Sequence, residues 1–249
     1  MIVCVGLATR DTIYRLPELP EPDGRVVADE RVVAGGGPAA TAAVAIARLG
    51  VPVRFVGVVD EELPGVETHA LPGRMVESTI LVGPDGTRAI VTEQPQRFTC
   101  PPELLQDADW VHVDHVGYHA LPASNSLLLS VDAGFPLPDV DTATVDLWSP
   151  PEPMDDGRRG KLTVVTRGAD GCTAYTEDGG RIDVPGERVE GVVSTLGAGD
   201  VFHGALLAAF AHGLELREAL AAANRAAALS CRALDGRSAV PTWDEVAAG

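Results

Sequence analysis

The chain has 249 residues, 45% of them hydrophobic, and a formal charge of −17 from 19 Lys and Arg against 36 Asp and Glu. That length admits one large α/β domain with a small appendage, or two small domains, and the apolar share is enough for a sizeable core. The acidic balance argues against nucleic-acid and anionic-lipid partners, and no apolar run is long enough to cross a bilayer. Cys4, Cys100, Cys172 and Cys231 are scattered without C-x-x-C spacing. They argue against structural disulfides or zinc and for a reducing cytoplasm.

In chain order, "MIVCVGLA" is a continuous apolar run ending in glycine. It predicts a strand buried on both faces, and lacks the basic start of a secretion signal. "RLPELPEPDG" reads as loop and "RVVADERVV" as a strand with a polar interruption. "GGGPAATAAVAIARLG" predicts a helix closed by Gly50, and "VPVRFVGVVD" a further strand. "STILVGPDGTRAIVTE" is a hairpin around Pro84-Asp85-Gly86. "DWVHVDHVG" reads as a strand and 121–129 as a helix; "LLSVDAG" and "ATVDLW" read as short strands. "LTVVTRGADGCTAYT" is strand, turn, strand, and 201–212 and 215–233 are Ala-rich helices split by Gly213. The alternation of strand and helix predicts a central, largely parallel sheet covered by helices. The segments at about 11–33 and 78–93 break it and predict a small separate sheet within a single unit of 1–249.

"STLGAGDVFHGALLAAF" carries the sharpest chemical signal. A Gly-Ala-Gly turn is nearly bare of side chains, so its N–H groups can approach a ligand closely. A helix starting near Gly199 would add unpaired N–H groups and a positive dipole end, together an anion hole suited to phosphate. Asp200 beside it is placed to take a proton from a hydroxyl attacking phosphorus. The helix end predicts a lowered pKa for Asp200 and hence a weak base. The same pattern also fits a plain helix N-cap. Neither a Walker lysine nor a dinucleotide fingerprint is present.

"STLGAGDVFHGALLAAFAHG" and "GGGPAATAAVAIARLG" resemble the C-terminal and N-terminal signatures of the ribokinase-like (PfkB) carbohydrate kinases. "VGLATRD", "PDGTRAIV", "VTRGADG" and "GRSAVPTWDEV" fall in that family's order, so the resemblance spans nearly the whole chain. "TLGAGDVFHGA" and "ALSCRALDGRSAVP" look closest to its ketohexokinase, fructokinase and sulfofructose kinase-like branch. The resemblance implies a three-layer α/β/α fold with a small β lid that often pairs two subunits. It implies ATP-dependent transfer of the γ-phosphoryl group, aided by Mg²⁺, to a hydroxyl of a small sugar, a ketose or sugar derivative. Asp200 would be the base, and Gly197, Ala198 and Gly199 the anion hole. Asp11, Gly36, Gly37 and Thr41 would meet the sugar. Thr166, Arg167, Gly168, Gly171, Thr195 and Asn224 would lie along the nucleotide, and Glu152 near the metal. Plainer readings stand beside these: Asp11 as a turn cap, the Gly35–Gly37 run as a tight helix entry, Arg167 as a loop cation, Asn224 as a polar-face residue.

The sequence departs from the family pattern at three positions. Ser194 replaces an acid that often helps hold a monovalent cation, so potassium activation is not carried over. Thr41 replaces an asparagine, which blurs the sugar contact. "SPPE" keeps Glu152 and has Ser149 in place of an amide. The chain is also short, lacking helical signal at 60–78 and 134–161. Two alternatives follow: a catalytically weak sugar- or nucleotide-binding protein on the same scaffold, or a nucleoside kinase. His112 and His115, three apart on the predicted strand, point to opposite faces and do not form a metal site.

Overall fold

The computed structural model describes residues 1–122, 127–135, 137, 139–150 and 160–248. Its strands are β1 (Ile2–Val5), β2 (Thr9–Arg15), β3 (Glu30–Gly36), β4 (Val53–Gly57), β5 (Glu67–Ala70), β6 (Val76–Val82), β7 (Arg88–Thr92), β8 (Trp110–Val113), β9 (Leu128–Asp132), β10 (Leu147–Ser149), β11 (Leu162–Thr166), β12 (Cys172–Thr176) and β13 (Arg181–Val184). Its helices are α1 (Pro38–Arg48), α2 (His115–Tyr118), α3 (Ala198–Ala211), α4 (Leu216–Ser230) and α5 (Trp243–Ala247).

The large sheet runs in the order β13-β12-β11-β10-β9-β8-β1-β4-β5, parallel from β11 to β5, with β12 and β13 antiparallel at one edge. β1 shows why it is buried on both faces. Ile2 and Cys4 enter the core under the helices, while Val3 and Val5 enter a second core on the opposite face. This is the period-2 alternation of a strand, with apolar residues at both phases. On the first face α1, α3 and α4 pack together, and Val201–Ala209 of α3 are buried all round. An all-apolar helix of this kind suits a position between two other helices and a sheet. Among the described residues the second face is covered by α2, including Tyr118, a 3₁₀ turn at Pro102–Leu105 and loop residues such as Phe98. The expected three layers are therefore present.

The small sheet has the order β3-β2-β6-β7, with β2 and β6 parallel. It forms where the two irregular segments were expected, with altered bounds. β2 starts at Thr9, and the strand expected over 25–33 begins only at Glu30, because Asp29 N–H turns back to the Arg15 carbonyl. The helix expected over 121–129 is corrected at its end. Leu128 and Leu129 open β9 and pair with β8, and 123–126 lie outside the described residues. "ATVDLW" divides into a 3₁₀ turn at Thr142–Thr144 and the short β10. The parallel strands β1, β8, β9, β10 and β11 all point their carboxyl ends toward one side, the usual place for a ligand crevice in such sheets.

Candidate active site

Two cavities of about 410 Å³ each open on that side. The first lies under the small sheet. Asp11, Ser78 and Arg88 come from its strands, and Asp114, Asp132 and Ser149 from the ends of the large sheet. The second lies between β11, the loop after β13 and helices α3 and α4. Both are lined by Thr166 and Gly199, so they meet at the start of α3.

That junction is the Gly-Ala-Gly-Asp turn. Gly197 caps α3 with φ 73°, a left-handed conformation. A Cβ there would lie 2.9 Å from the Cα of Gly236, so glycine is required on both conformational and packing grounds. The first intrahelical acceptor is the Gly197 carbonyl, taken by Val201. The N–H groups of Gly199 and Asp200 precede it and have no carbonyl behind them within the helix. Asp200 sits on the third residue of α3 and is not the cap; Gly197 is, without any side-chain cap bond. The N-cap reading of Asp200 is thereby excluded. Its carboxylate lines the first cavity together with Gly197 and Gly199, while Ala198 and Gly199 line the second.

The electrostatics correct one expectation. The helix end was expected to lower the pKa of Asp200, yet the group is pushed up to about 7. Burial is the largest cause, and the charges of Asp132 and then Asp114 add to it, against His203 and Arg88. Asp132 goes the other way. Burial pushes it up, but the charge of His203, its contact, and the charge of His112 outweigh this and hold it at about 2. His203, one turn beyond Asp200 on α3, places Nδ1 3.2 Å from Asp132 Oδ2. Burial lowers the His203 pKa, but Asp132 and Asp200 turn the balance upward.

On the acceptor side, Asp11 is 6% exposed and its Oδ1 has no hydrogen-bond partner. Burial raises its pKa, opposed by the hydroxyls of Thr9 and Ser78 and the charge of Arg237. An orphaned buried oxygen at a cavity wall is an acceptor awaiting a donor. Gly37 also lines this cavity. It caps α1 at φ 90°, with the Ala8 Cα 2.8 Å from where a Cβ would stand. Gly36 and Thr41 do not line it: Gly36 lies against the Asp11 carboxylate, and Thr41 Oγ1 accepts from Arg237 Nε at 3.2 Å.

On the other side, Thr166, Gly168, Gly171, Thr195 and Asn224 line the second cavity. Arg167 does not; its guanidinium donates to Thr173 Oγ1 and lies 3.8 Å from Asp183. Asn224 Nδ2 donates to the carbonyls of Pro185 at 3.0 Å and Val184 at 3.4 Å, which fastens the end of β13 to α4. Glu152 lies outside the described residues. Among the described residues no group of three or more His, Cys, Asp and Glu is arranged to hold a metal. His112 and His115 are not on one strand. Asp114 ends β8 and caps α2, accepting from the N–H groups of Leu7, Ala39, Val116 and Gly117. His112 instead meets Ser130 Oγ at 3.0 Å, and His115 stacks on Phe135 at the first cavity.

The sequence reading missed Arg88, Asp132 and His203. His203 carried a faint signal, its i+3 spacing from Asp200, which puts both on one helix face. Arg88 donates to Thr195 Oγ1 at 2.8 Å, joining the small sheet to the glycine turn across 107 positions.

Comparison with known proteins agrees with this geometry. The profile of the pfkB family carbohydrate kinases matches residues 154–243. An ATP-dependent ribose-1-phosphate kinase of Halopiger xanaduensis is 28% identical, covering 99% of this chain and 97% of that protein. The ribokinase of Bacillus subtilis is 26% identical over 98% of this chain and 97% of its own. A 40% identity to a fructokinase of Arabidopsis thaliana covers only 34% of this chain and 24% of that one. The solved ribokinase of Arabidopsis thaliana with ribose and ATP superposes with a TM-score of 0.79 at 20% identity, over 99% of this chain and 97% of its own, a likeness of fold. The alignment with the Halopiger protein runs over 289 positions against 249 residues here, so segments of that protein have no counterpart in this chain.

Proposed function

We propose that the chain is a carbohydrate kinase of the pfkB kind, in keeping with the profile match and the full-length relatives, and that it transfers the γ-phosphoryl group of ATP to a hydroxyl of a small sugar or sugar derivative held in the first cavity. The observation that carries the reading is the meeting of two cavities at one helix start, with Asp200 on the acceptor side and bare amides between. In this reading Asp11 Oδ1 receives a sugar hydroxyl and Gly37 lets the ring approach the backbone. ATP occupies the second cavity, its phosphates directed at the N–H groups of Gly199 and Asp200.

The attacking hydroxyl gives its proton to Asp200 as its oxygen bonds to the γ-phosphorus. The bond from that phosphorus to the β–γ bridging oxygen breaks, and ADP leaves with the electron pair. A base with a pKa near the working pH is close to the optimum for such a transfer, commonly worth roughly 10²–10⁴-fold. The turn's amides and Arg88 face the charge that develops on the phosphoryl oxygens. Mg²⁺ bound with the nucleotide would supply further charge neutralisation; Glu152 is the residue proposed to lie near it, and Mg²⁺ needs few protein ligands.

The small sheet serves in this reading as a lid that excludes water, which competes with the sugar for the phosphoryl group. Val33 and Val91 on it are exposed and apolar, which supports pairing of two copies through the lid. Buried, unpaired cysteines support a reducing, cytoplasmic setting. The ketose preference is kept as a proposal beside a pentose, since full-length likeness is to ribose-type kinases. The deciding experiment is ADP release with ribose, fructose, sulfofructose, ribose-1-phosphate and nucleosides. Turnover on a sugar supports the reading. A nucleoside outcompeting every sugar, or binding by calorimetry with no turnover on any of them, overturns it.

A further inference from the structure

Arg237 lies in the loop after α4 and lines neither cavity. Its side chain is only 11% exposed, and its three nitrogens take three directions. Nη2 donates to the Gly36 carbonyl, Nε donates to Thr41 Oγ1 at 3.2 Å, and Nη1 stands 3.6 Å from the Glu61 carboxylate. These partners belong to the end of β3, the first turn of α1 and the loop after β4. Gly36 is beside the acceptor wall that carries Asp11, whereas the Thr41 methyl lies 3.5 Å from where a Cβ on Gly197 would stand, next to the glycine turn. A guanidinium is planar and permanently charged, so such a fan of contacts makes a stiff joint between the pieces it touches.

The same loop grips the glycine turn from behind. Asp235 Oδ1 accepts from the N–H groups of Arg237 and Ser238, both at 2.7 Å, which fixes the loop's shape. Gly236 packs directly on Gly197. Two consecutive residues thus touch the turn with backbone and the acceptor wall with a side chain. Burial pulls the Arg237 pKa down, while the charges of Glu61, Asp11, Asp200 and Asp235 favour the cation. A buried charge this well surrounded is costly to break, because each partner would be left unpaired.

We propose that Arg237 is a positioning residue that sets the distance between the acceptor wall and the phosphoryl-binding turn, acting through Gly36 on one side and through Thr41 and Gly236 on the other. The proposal rests on reading the two cavities as a kinase site. It accounts for Thr41, whose hydroxyl meets Arg237 and not the first cavity. It accounts for Gly35 as well, where a Cβ would collide with the Arg237 guanidinium and the Glu61 carboxylate.

The test uses the full chain with Arg237→Ala, Arg237→Met and Arg237→Lys. Misplacing reacting groups by an ångström costs on the order of 100-fold, so kcat/KM for the acceptor sugar should fall about that far in the Ala and Met variants. KM for ATP should move less than about threefold, because the second cavity is untouched. Guanidinium chloride at low millimolar concentration should restore about 10-fold or more to Arg237→Ala and nothing to Arg237→Met, whose side chain fills the hole. A merely structural role would weaken use of both substrates together, so the loss confined to the acceptor, with KM for ATP nearly unmoved, is what marks positioning. If Arg237→Ala does not fold, Arg237→Lys keeps the charge without the fork and should still lose about 10-fold in acceptor kcat/KM. The proposal is overturned by an Arg237→Met or Arg237→Lys enzyme within about threefold of wild type, or by a folded Arg237→Ala that guanidinium leaves unchanged. Absent wild-type turnover sinks the kinase reading instead. The joint is then read from melting alone: guanidinium should raise the melting temperature of Arg237→Ala and not that of wild type, and no rise overturns it.

Discussion

Asp200→Asn removes a charge and keeps the shape, so it separates chemistry from folding. The wild-type carboxyl is lifted from 3.8 to about 7, chiefly by burial and then by the charge of Asp132. The folded state therefore holds its proton more tightly than the unfolded chain does. Stability contributed by that protonated carboxyl is complete below about pH 4 and is lost as the pH rises through about 7. Three units at 1.36 kcal/mol each set a ceiling of about 4 kcal/mol. The half-buried position leaves an expected penalty of about 2–4 kcal/mol at pH 8. Asparagine never carries the charge, so the variant should melt roughly 5–10 °C above wild type at pH 8. The gain should fade toward pH 4, where wild type is protonated too. Turnover should nevertheless drop by roughly 10²–10⁴-fold. In wild type, kcat/KM should rise with pH through about 7 as Asp200 ionises, and the variant's remaining activity should lack that limb. The assay pairs melting curves at pH 4–8, without nucleotide, with steady-state ADP release. Equal melting of the two proteins at pH 8, or retained turnover, refutes the placing of a destabilised base at the helix start.

Gly197→Ala forces a left-handed φ on alanine and drives its Cβ against Gly236. It should cost about 1–3 kcal/mol in denaturant unfolding and depress kcat more than KM for either substrate. Asn224→Ala tests whether the amide reads the base or holds the fold. Its donors already meet Val184 and Pro185, so KM for ATP should change less than about threefold while the melting temperature falls. His112 is held near pKa 4 by burial, assisted by the charge of His203. The unfolded chain then takes the proton first, and up to about 3 kcal/mol of stability is lost as pH falls from 6.5 to 4. His112→Asn should flatten that part of the pH–stability curve, which chemical unfolding at pH 4, 5, 6 and 7 would show.

What the sequence made legible was local. The bare Gly-Ala-Gly turn before an apolar helix, and the glycine run before α1, mark two helix starts within a few residues. Hydrophobic periodicity likewise placed most strands, because burial on one or both faces is written in consecutive residues. The unread parts depend on chain segments far apart. Thr41 and Arg237 meet across 196 positions, and Arg88 reaches Thr195 across 107. The error at Asp200 has the same origin. A helix start is visible in sequence, but the burial of the carboxyl and the Asp132 charge beside it are not. The end of the helix expected at 121–129 was misread for a related reason: a short apolar run satisfies either period, and only pairing with β8 decides for strand at Leu128 and Leu129.

The first cavity places four carboxylates together, and their differing supports suggest a division of labour. Asp114 is fastened by four backbone N–H groups and organises the ends of β1, α1 and β8. Asp132 is held ionised by His203. Asp11 keeps hydroxyls beside it and a buried oxygen without a hydrogen-bond partner. Asp200 has burial and two negative charges, Asp132 and Asp114, raising it, opposed by the charges of His203 and Arg88. Where environments separate the pKa values of clustered acids, the acid left near neutrality is the one suited to exchange protons, and the low ones are suited to hold charge. Of the other three only Asp132 is held low, while burial pushes Asp11 and Asp114 up as it does Asp200, so what assigns the proton transfer to Asp200 is its place at the helix start where the two cavities meet.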